Sequence, residues 1–269
     1  MNDWEADKID MIKAVFLDID GTLVSFHTHR VPASAVKAVE KLRSKGIKVF
    51  IATGRHMRFI NNLGDMEFDG YVTLNGSYCY AGKDKVIFRR CIPQEDILRL
   101  VDFQKENESF PCIFVREHDS FLNEESGKVG ELLQLIDLPT PPVKDVDEAL
   151  REEIFQLLAF FTPEQEKRVM SGVLEHCEAT RWTSLFADVI PSGGSKKVGM
   201  EKILEYFGLS SQEAIAFGDG GNDVPMLEYA GVGVAMGNAA DTVKQAANFV
   251  THSVDDNGVE YALKHFGLI

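Results

Sequence analysis

An α/β fold, in which a parallel-sheet core is interrupted by an inserted α+β domain, is what this chain of 269 residues predicts. Three observations carry that expectation. Both ends of the chain alternate short, almost wholly apolar segments with amphipathic helical ones, as strands buried on both faces and their crossover helices do. The middle of the chain loses that rhythm. Several apolar segments stop in polar, glycine-bearing turns, and in open parallel sheets it is at the carboxyl ends of strands that ligands collect.

Lys13 to Ile19 is nearly continuous apolar sequence and predicts the first strand. In VPASAVKAVEKLRSKG, Val36, Val39 and Leu42 fall on one helical stripe, with proline at the start and Gly46 at the end. IKVFIATGR predicts the second strand, a helical stretch begins near Met57, and GYVTLNG predicts the third strand. Strands and helices alternating in this way imply right-handed crossovers and a Rossmann-like parallel sheet. From residue 83 to 188, KVIFRRCI, FPCIFVRE, EIFQLLAFF and FADVIP read as separate strands. PQEDILRLVDFQKEN and PEQEKRVMSGVLEHC read as helices between them, and LPTPPVKDVD as a loop. The carboxy-terminal part returns to the first pattern. SKKVGMEKILEYFGL is an amphipathic helix, EAIAFGDG a strand, NDVPMLEYAG a helix, VGVAMGN a short strand, and AADTVKQAANFV a helix plus strand. Residues 1–82 and 189–269 are therefore assigned to one discontinuous core domain and 83–188 to the inserted domain.

With 45% hydrophobic side chains the chain can bury a sizeable core. A formal charge of −14 repels phosphate backbones, so nucleic acid is excluded as a partner and a small anion needs a locally positive pocket. Cys79, Cys91, Cys112 and Cys177 are widely spaced, with no C-x-x-C pair, and are expected to be reduced thiols. The acidic MNDWEADKID lacks an apolar signal core, and no apolar run approaches the ~20 residues of a membrane helix; no membrane partner and a cytoplasmic location are expected. Oligomeric state is not legible.

Four strand ends carry the polar chemistry: DIDGT, ATGR, LNG and GDGGND. Brought together, Asp18, Asp20, Asp219 and Asp223 would gather four carboxyl groups in one pocket. Such a cluster repels itself unless cations or protons intervene. A hard divalent ion with oxygen ligands answers the problem, and Mg²⁺, which keeps waters and completes its shell with substrate phosphate, suits a site with few carboxylates. An aspartate held ionised in this way is a usable nucleophile.

LDIDGTL, IATGR, SKK and IAFGDGGNDVPML…AGVGVAMGNA, in that order, resemble the haloacid dehalogenase superfamily, and its Cof-like sugar phosphatase branch in particular. The resemblance covers both ends of the chain, and the insertion is similar in position and length only. It implies a Mg²⁺-dependent phosphatase of small phosphorylated metabolites, with sugar phosphates the first guess, in which the inserted domain caps the substrate. It implies Asp18 as the nucleophile that becomes an aspartyl-phosphate, and Asp20 as the acid that protonates the leaving alkoxide and then the base for water. Gly21 permits the tight turn and Thr22 braces it. Thr53 and the Gly54 N–H would bind a phosphoryl oxygen, and Lys196 would neutralise phosphoryl group and nucleophile. Asp18, the Asp20 carbonyl and Asp219 would hold the metal, with Asp223 orienting a ligated water or Lys196. Asn222 would contact phosphate, and Arg55 and Asn75 would line the rim and hold the leaving group. Lys197 stands where the branch usually has glycine, which leaves it as the alternative inward lysine, although the serine-lysine spacing favours Lys196. A phosphomutase, or an idle phospho-ligand sensor, would carry similar motifs.

Outside the motifs, His27 and His29 of HTHR alternate on an extended segment, but no third ligand is nearby in sequence, so a solvent-facing or entrance-lining place is expected. Arg89, Arg90, Arg181 and Trp182 belong to the inserted part and are expected to serve its surface and core.

Overall fold

The computed structural model describes residues 11–106, 108–181 and 183–269. MNDWEADKID and Trp182 therefore lie outside the described residues. Two compact units form, one from the chain up to Phe88 together with Ser195–Ile269, the other from Arg89–Gly194.

In the first unit, β1 (Ala14–Leu17) is buried at every position, which its unbroken apolar run requires. It is followed by α1 (Ala33–Ser44), β2 (Lys48–Ala52), β3 (Gly70–Thr73), β4 (Tyr78–Ala81) and β5 (Lys85–Arg89). The second unit holds α2 (Gln94–Glu106), β6 (Cys112–Val115), β7 (Ser120–Leu122), α3 (Gly127–Leu135), β8 (Gln156–Ala159), α4 (Pro163–Gly172), β9 (Cys177–Thr180) and β10 (Ala187–Pro191). The chain then returns with α5 (Lys196–Phe207), β11 (Ala214–Gly218), α6 (Val224–Tyr229), β12 (Val232–Ala235), α7 (Asp241–Ala246), β13 (Phe249–Val250) and α8 (Gly258–His265).

The first unit is built on a sheet ordered β13-β12-β11-β1-β2-β3-β4-β5. β1 lies parallel to both β2 and β11, with Val15 opposite Val49 and Ile215. Successive strands move outward from β1 in one direction and from β11 in the other, so the strand order reverses between them. Alternate residues feed two cores. Val15, Leu17, Val49, Ile51, Ile215 and Phe217 face Val39 and Leu42 of α1 and Leu263 of α8. Ala14, Phe16, Phe50 and Ala216 face Met200 and Ile203 of α5 and Met226 of α6. Phe16 and Phe50 stack at 4.8 Å with no exposed surface, and burying such a ring contributes about 1.5–3 kcal/mol.

The second unit is an antiparallel sheet ordered β7-β6-β8-β10-β9. Cys112, Phe114, Leu157, Ala159, Ala187 and Val189 point from it to one core with Ile97, Leu100 and Val101 of α2 and Val169 of α4. Thr162 caps α4 through a reciprocal pair with Gln165, just before Pro163 at the first turn. All four cysteines are free thiols. No helix among the described residues is long and apolar enough to cross a membrane.

The fold departs from the expectations in four places. The division falls after Phe88 and after Gly194, and the KVIFR segment is the edge strand of the large sheet, hydrogen-bonded beside β4. Near Met57 there is only a 3₁₀ turn, Met57–Phe59, because Asn61, Asn62 and Gly64 supply neither helix propensity nor an apolar stripe. The helix begun at Pro163 stops at Gly172, and Cys177 starts a strand. β4, which runs antiparallel to β3, and α3, β7, β9 and α8 are additions.

Two glycines fasten β3 to α5. A Cβ on Gly199 would lie 2.2 Å from Val72 Cγ1, and one on Gly76, whose φ is +93°, would lie 2.0 Å from the Ser195 carbonyl oxygen. Gly76→Ala therefore combines a left-handed backbone with a backbone clash and is expected to cost about 2–5 kcal/mol. A thermal midpoint unchanged from wild type would refute the close approach.

Candidate active site

The parallel strands deliver five loops in spatial order, those after β12, β11, β1, β2 and β3. Asp219 and Asp18 follow the neighbouring strands β11 and β1, on either side of the point where strand order reverses. The polar contacts below join each loop to its neighbour.

Lys196, the first residue of α5, is 1% exposed. Ser195 caps the helix by accepting from the Val198 N–H at 3.3 Å. The Lys196 Nζ donates to Asp18 Oδ1 and to Asp223 Oδ1, each at 2.6 Å. The second oxygen of Asp223 accepts from the backbone N–H groups of Asp219 (3.0 Å) and Gly220 (2.9 Å), so this buried carboxylate is fully engaged in shaping its loop. Carboxylate oxygens of Asp18, Asp219 and Asp223 all lie within 4.8 Å of one another.

Asp20 is treated differently. Arg55 grips it in a bidentate pair, Nε to Oδ2 at 2.6 Å and a terminal nitrogen to Oδ1 at 2.7 Å, and donates to the Phe59 carbonyl at 3.0 Å. Thr53 Oγ accepts from the Arg55 N–H at 3.0 Å, and the Thr53 carbonyl accepts from the Asn75 N–H at 3.1 Å. Asn75 adopts a left-handed conformation (φ 51°, ψ 34°), and its side-chain oxygen accepts from Asn222 Nδ2 at 2.9 Å. A Cβ on Gly54 would press to 3.2 Å on the same amide, which would have to shift by a few tenths of an ångström to admit it.

These contacts correct several expectations. Arg55 and Asn75 are buried, at 8% and 1% exposure, rather than on the rim. Lys196 is the inward lysine; Lys197 is half exposed, 3.4 Å from Glu201 and over the Tyr229 ring. Thr22 does more than brace its own turn, since its hydroxyl donates to Asp219 Oδ1 at 2.9 Å. Asn238 was not singled out; its Nδ2 lies 2.8 Å from the Gly21 carbonyl and 3.3 Å from Asp219 Oδ2. In sequence it ends the AGVGVAMGN stretch, where an asparagine just past an apolar strand reads equally as a turn. His27 is exposed, 3.8 Å from Asp255. Arg89 pairs with Glu117 and Glu153, Arg90 donates to the Ser192 carbonyl, and Arg181 pairs with Glu166.

Burial, above all, pushes the Asp18 carboxyl well above its usual range; Lys196 draws it back, while Asp223, Asp219 and Asp20 add to the rise. Burial and then Asp223 push Asp219 up to about 7 against the Thr22 hydrogen bond and Lys196. Burial alone would lower the Lys196 ammonium, but Asp18 and Asp223 together outweigh it and hold it raised. Four carboxyl groups face two cationic side chains, Lys196 and Arg55, so full ionisation of the aspartates would leave two negative charges unmatched. The donors are all oxygens, so the residues present fit a hard divalent cation.

Residues 15–263 match the family model of the haloacid dehalogenase-like hydrolases. The chain is 35% identical over 260 residues to YkrA of Bacillus subtilis (strain 168), covering 96% of this chain and 98% of that one. It is 30% identical over 271 residues to 5-amino-6-(5-phospho-D-ribitylamino)uracil phosphatase YitU of the same organism, covering 94% and 96%. Among solved structures, the subclass IIB sugar phosphatase BT4131 superposes with a TM-score of 0.89 at 42% identity, covering 96% of this chain and 100% of that one. With its motif residues gathered at one sheet edge and the family match running through nearly the whole chain, the protein belongs to the haloacid dehalogenase-like hydrolases.

Proposed function

We propose that this enzyme is a phosphoric monoester hydrolase of small phosphorylated metabolites, sugar phosphates foremost, working with Mg²⁺ through an aspartyl-phosphate. The observation that carries this reading is the buried Asp18–Lys196–Asp223 triad beside Asp219, with more carboxyl groups than cationic side chains to match them. The relatives' names support the substrate class, since BT4131 is called a sugar phosphatase and YitU a phosphatase of a phosphoribityl compound.

Asp18, Asp219 and the Asp20 carbonyl would hold Mg²⁺, which when bound neutralises charge on the phosphoryl oxygens and the clustered carboxylates. Asp223 has both oxygens committed and orients Lys196 and the Asp219 loop instead. Lys196 offsets charge on Asp18 and on the incoming phosphoryl group, Thr53 Oγ and the Gly54 N–H donate to an equatorial oxygen, and Asn222 borders the same space. Asp18 Oδ attacks phosphorus and the ester oxygen departs, taking a proton from Asp20. Water then attacks the aspartyl-phosphate, giving its proton to Asp20 and releasing inorganic phosphate. The Arg55 pair fixes the orientation of the Asp20 carboxyl group at two points. The grip takes one lone pair on each Asp20 oxygen and leaves another for the proton of the acid step.

Asp18→Asn is nearly isosteric and removes the anionic nucleophile; phosphate release from a hexose phosphate should fall by at least about a thousandfold with an unchanged circular dichroism spectrum. Wild-type turnover that yields isomerised sugar phosphate but no free phosphate would instead identify a mutase, and no turnover across a panel of phosphorylated metabolites would sink the hydrolase reading.

Asp20→Asn should lower kcat/KM far more for a sugar phosphate than for nitrophenyl phosphate, whose leaving group needs no proton. Equal losses on both substrates would remove the acid role.

Protons and Mg²⁺ compete for Asp18 and Asp219. Because Asp219 is raised to about 7, the cation must displace a proton below that pH, and its affinity rises as pH rises. The thermal upshift on adding Mg²⁺ to chelator-treated protein should be small near pH 5, by the same linkage, and grow through neutrality. A pH-independent upshift would contradict the shared site.

A further inference from the structure

Asp219 is held from two sides by residues outside the acidic cluster. Thr22, on the loop after β1, donates through Oγ1 to Asp219 Oδ1 at 2.9 Å. Asn238, on the loop after β12, sits with Nδ2 3.3 Å from Asp219 Oδ2 and donates to the Gly21 carbonyl at 2.8 Å. The orientation of the Asn238 amide follows from its partners. Its oxygen meets the Val254 N–H at 3.0 Å, and a backbone N–H can only donate, so the nitrogen must face the Gly21 carbonyl and the Asp219 carboxylate, which only accept. Asn238 thus ties the loops after β12, β11 and β1 to the segment preceding α8.

Burial separates the two gripping residues. Thr22 is fully buried, whereas Asn238 is exposed. An exposed asparagine gains little from packing, and holding its amide still costs rotamer entropy, so its value lies in what the amide orders. Gly21 reinforces the same geometry: its φ is +87°, and a Cβ there would stand 2.2 Å from Asp219 Oδ2. Thr22 and Asn238 therefore close around the space that a glycine keeps open for that carboxylate.

We propose that Thr22 and Asn238 are positioning residues that clamp the Asp219 carboxylate, one on each oxygen, and so set the affinity of the site for its divalent cation. The inference rests on the metal-dependent reading above. Outer partners of ligating carboxylates typically set metal affinity by ten- to a hundredfold, because a ligand free to rotate must be ordered by the cation itself. Removing either grip leaves Asp219 with one anchored oxygen.

The test is direct Mg²⁺ titration by calorimetry of full-length wild type, Asn238→Ala and Thr22→Val, with substrate KM at saturating Mg²⁺ measured alongside. Thr22→Val keeps the shape of a buried side chain, and Asn238→Ala alters a surface one, so each protects the experiment against misfolding of the other; midpoints in chelator report any general loss of stability. Each variant should raise the Mg²⁺ dissociation constant on the order of tenfold, with substrate KM within about twofold of wild type. A dissociation constant within twofold of wild type in either variant overturns the clamp, even if stability in chelator falls, because the contact would then be structural only. Absence of Mg²⁺ binding by wild type would instead defeat the metal-dependent reading on which the clamp rests.

Discussion

The arrangement of this site depends on one interaction, the double ion pair of Lys196 with Asp18 and Asp223. Three charges in nearly dry protein are costly to bury, and such a group persists only where every partner is present and well placed. Lys196 comes from the start of α5, Asp18 from the end of β1 and Asp223 from the turn before α6, so no local stretch of chain can assemble it. The two-faced sheet does so by bringing β11 and β1 side by side while α5 packs across β2 and β3. The glycines at 76 and 199 let the start of α5 come close enough, and the lysine then reaches both carboxylates.

From the ion triad outward, charge is handled in two ways. Asp223 is satisfied by protein donors on both oxygens, while Asp18 and Asp219 retain the burden of burial and mutual repulsion that shows in their raised proton affinity. The pair with raised proton affinity follows β1 and β11, the two strands at the topological switch. Conflict confined to part of a polar network is what a site for an exogenous cation requires, because a fully compensated cluster would gain nothing by binding one.

Much of this was legible in the residues. Strand ends show in sequence because an apolar run stops abruptly, and Asp18, Thr53, Asn75 and Asp219 all sit where a buried strand meets polar turn residues. The partners of those residues were less legible. Thr22 looked like a brace for its own turn because Asp219 lies 197 positions away and only the pairing of β1 with β11 brings them together. The burial of Arg55 is not legible in its own glycine-bearing loop, because the acid it pairs with lies 35 positions away on another loop. α8 did carry a signal, Val259, Ala262, Leu263 and Phe266 on one stripe, but Asn257 and Gly258 at its start read as a turn. The helix expected near Met57 failed for the opposite reason, an incomplete stripe followed by residues that favour coil.

Two aspartates separated by a single isoleucine would have nearly the same environment on an exposed strand. Here Ile19 is wholly buried in the core shared with α1, and that anchor fixes the backbone on either side of it. Asp18 meets a buried lysine shared with another carboxylate, and Asp20 meets a guanidinium of its own. The difference in partner is a difference in chemistry. A carboxylate that shares one ammonium keeps an oxygen available to attack phosphorus, whereas one held bidentate has both oxygens occupied and is poor at bonding to anything but a proton. In the proposed mechanism, the division of labour between nucleophile and proton carrier follows from which cation each acid meets, and exchanging the two cations would exchange neither role cleanly, because lysine cannot reproduce the two-point grip and arginine cannot serve as a compact bridge between two acids.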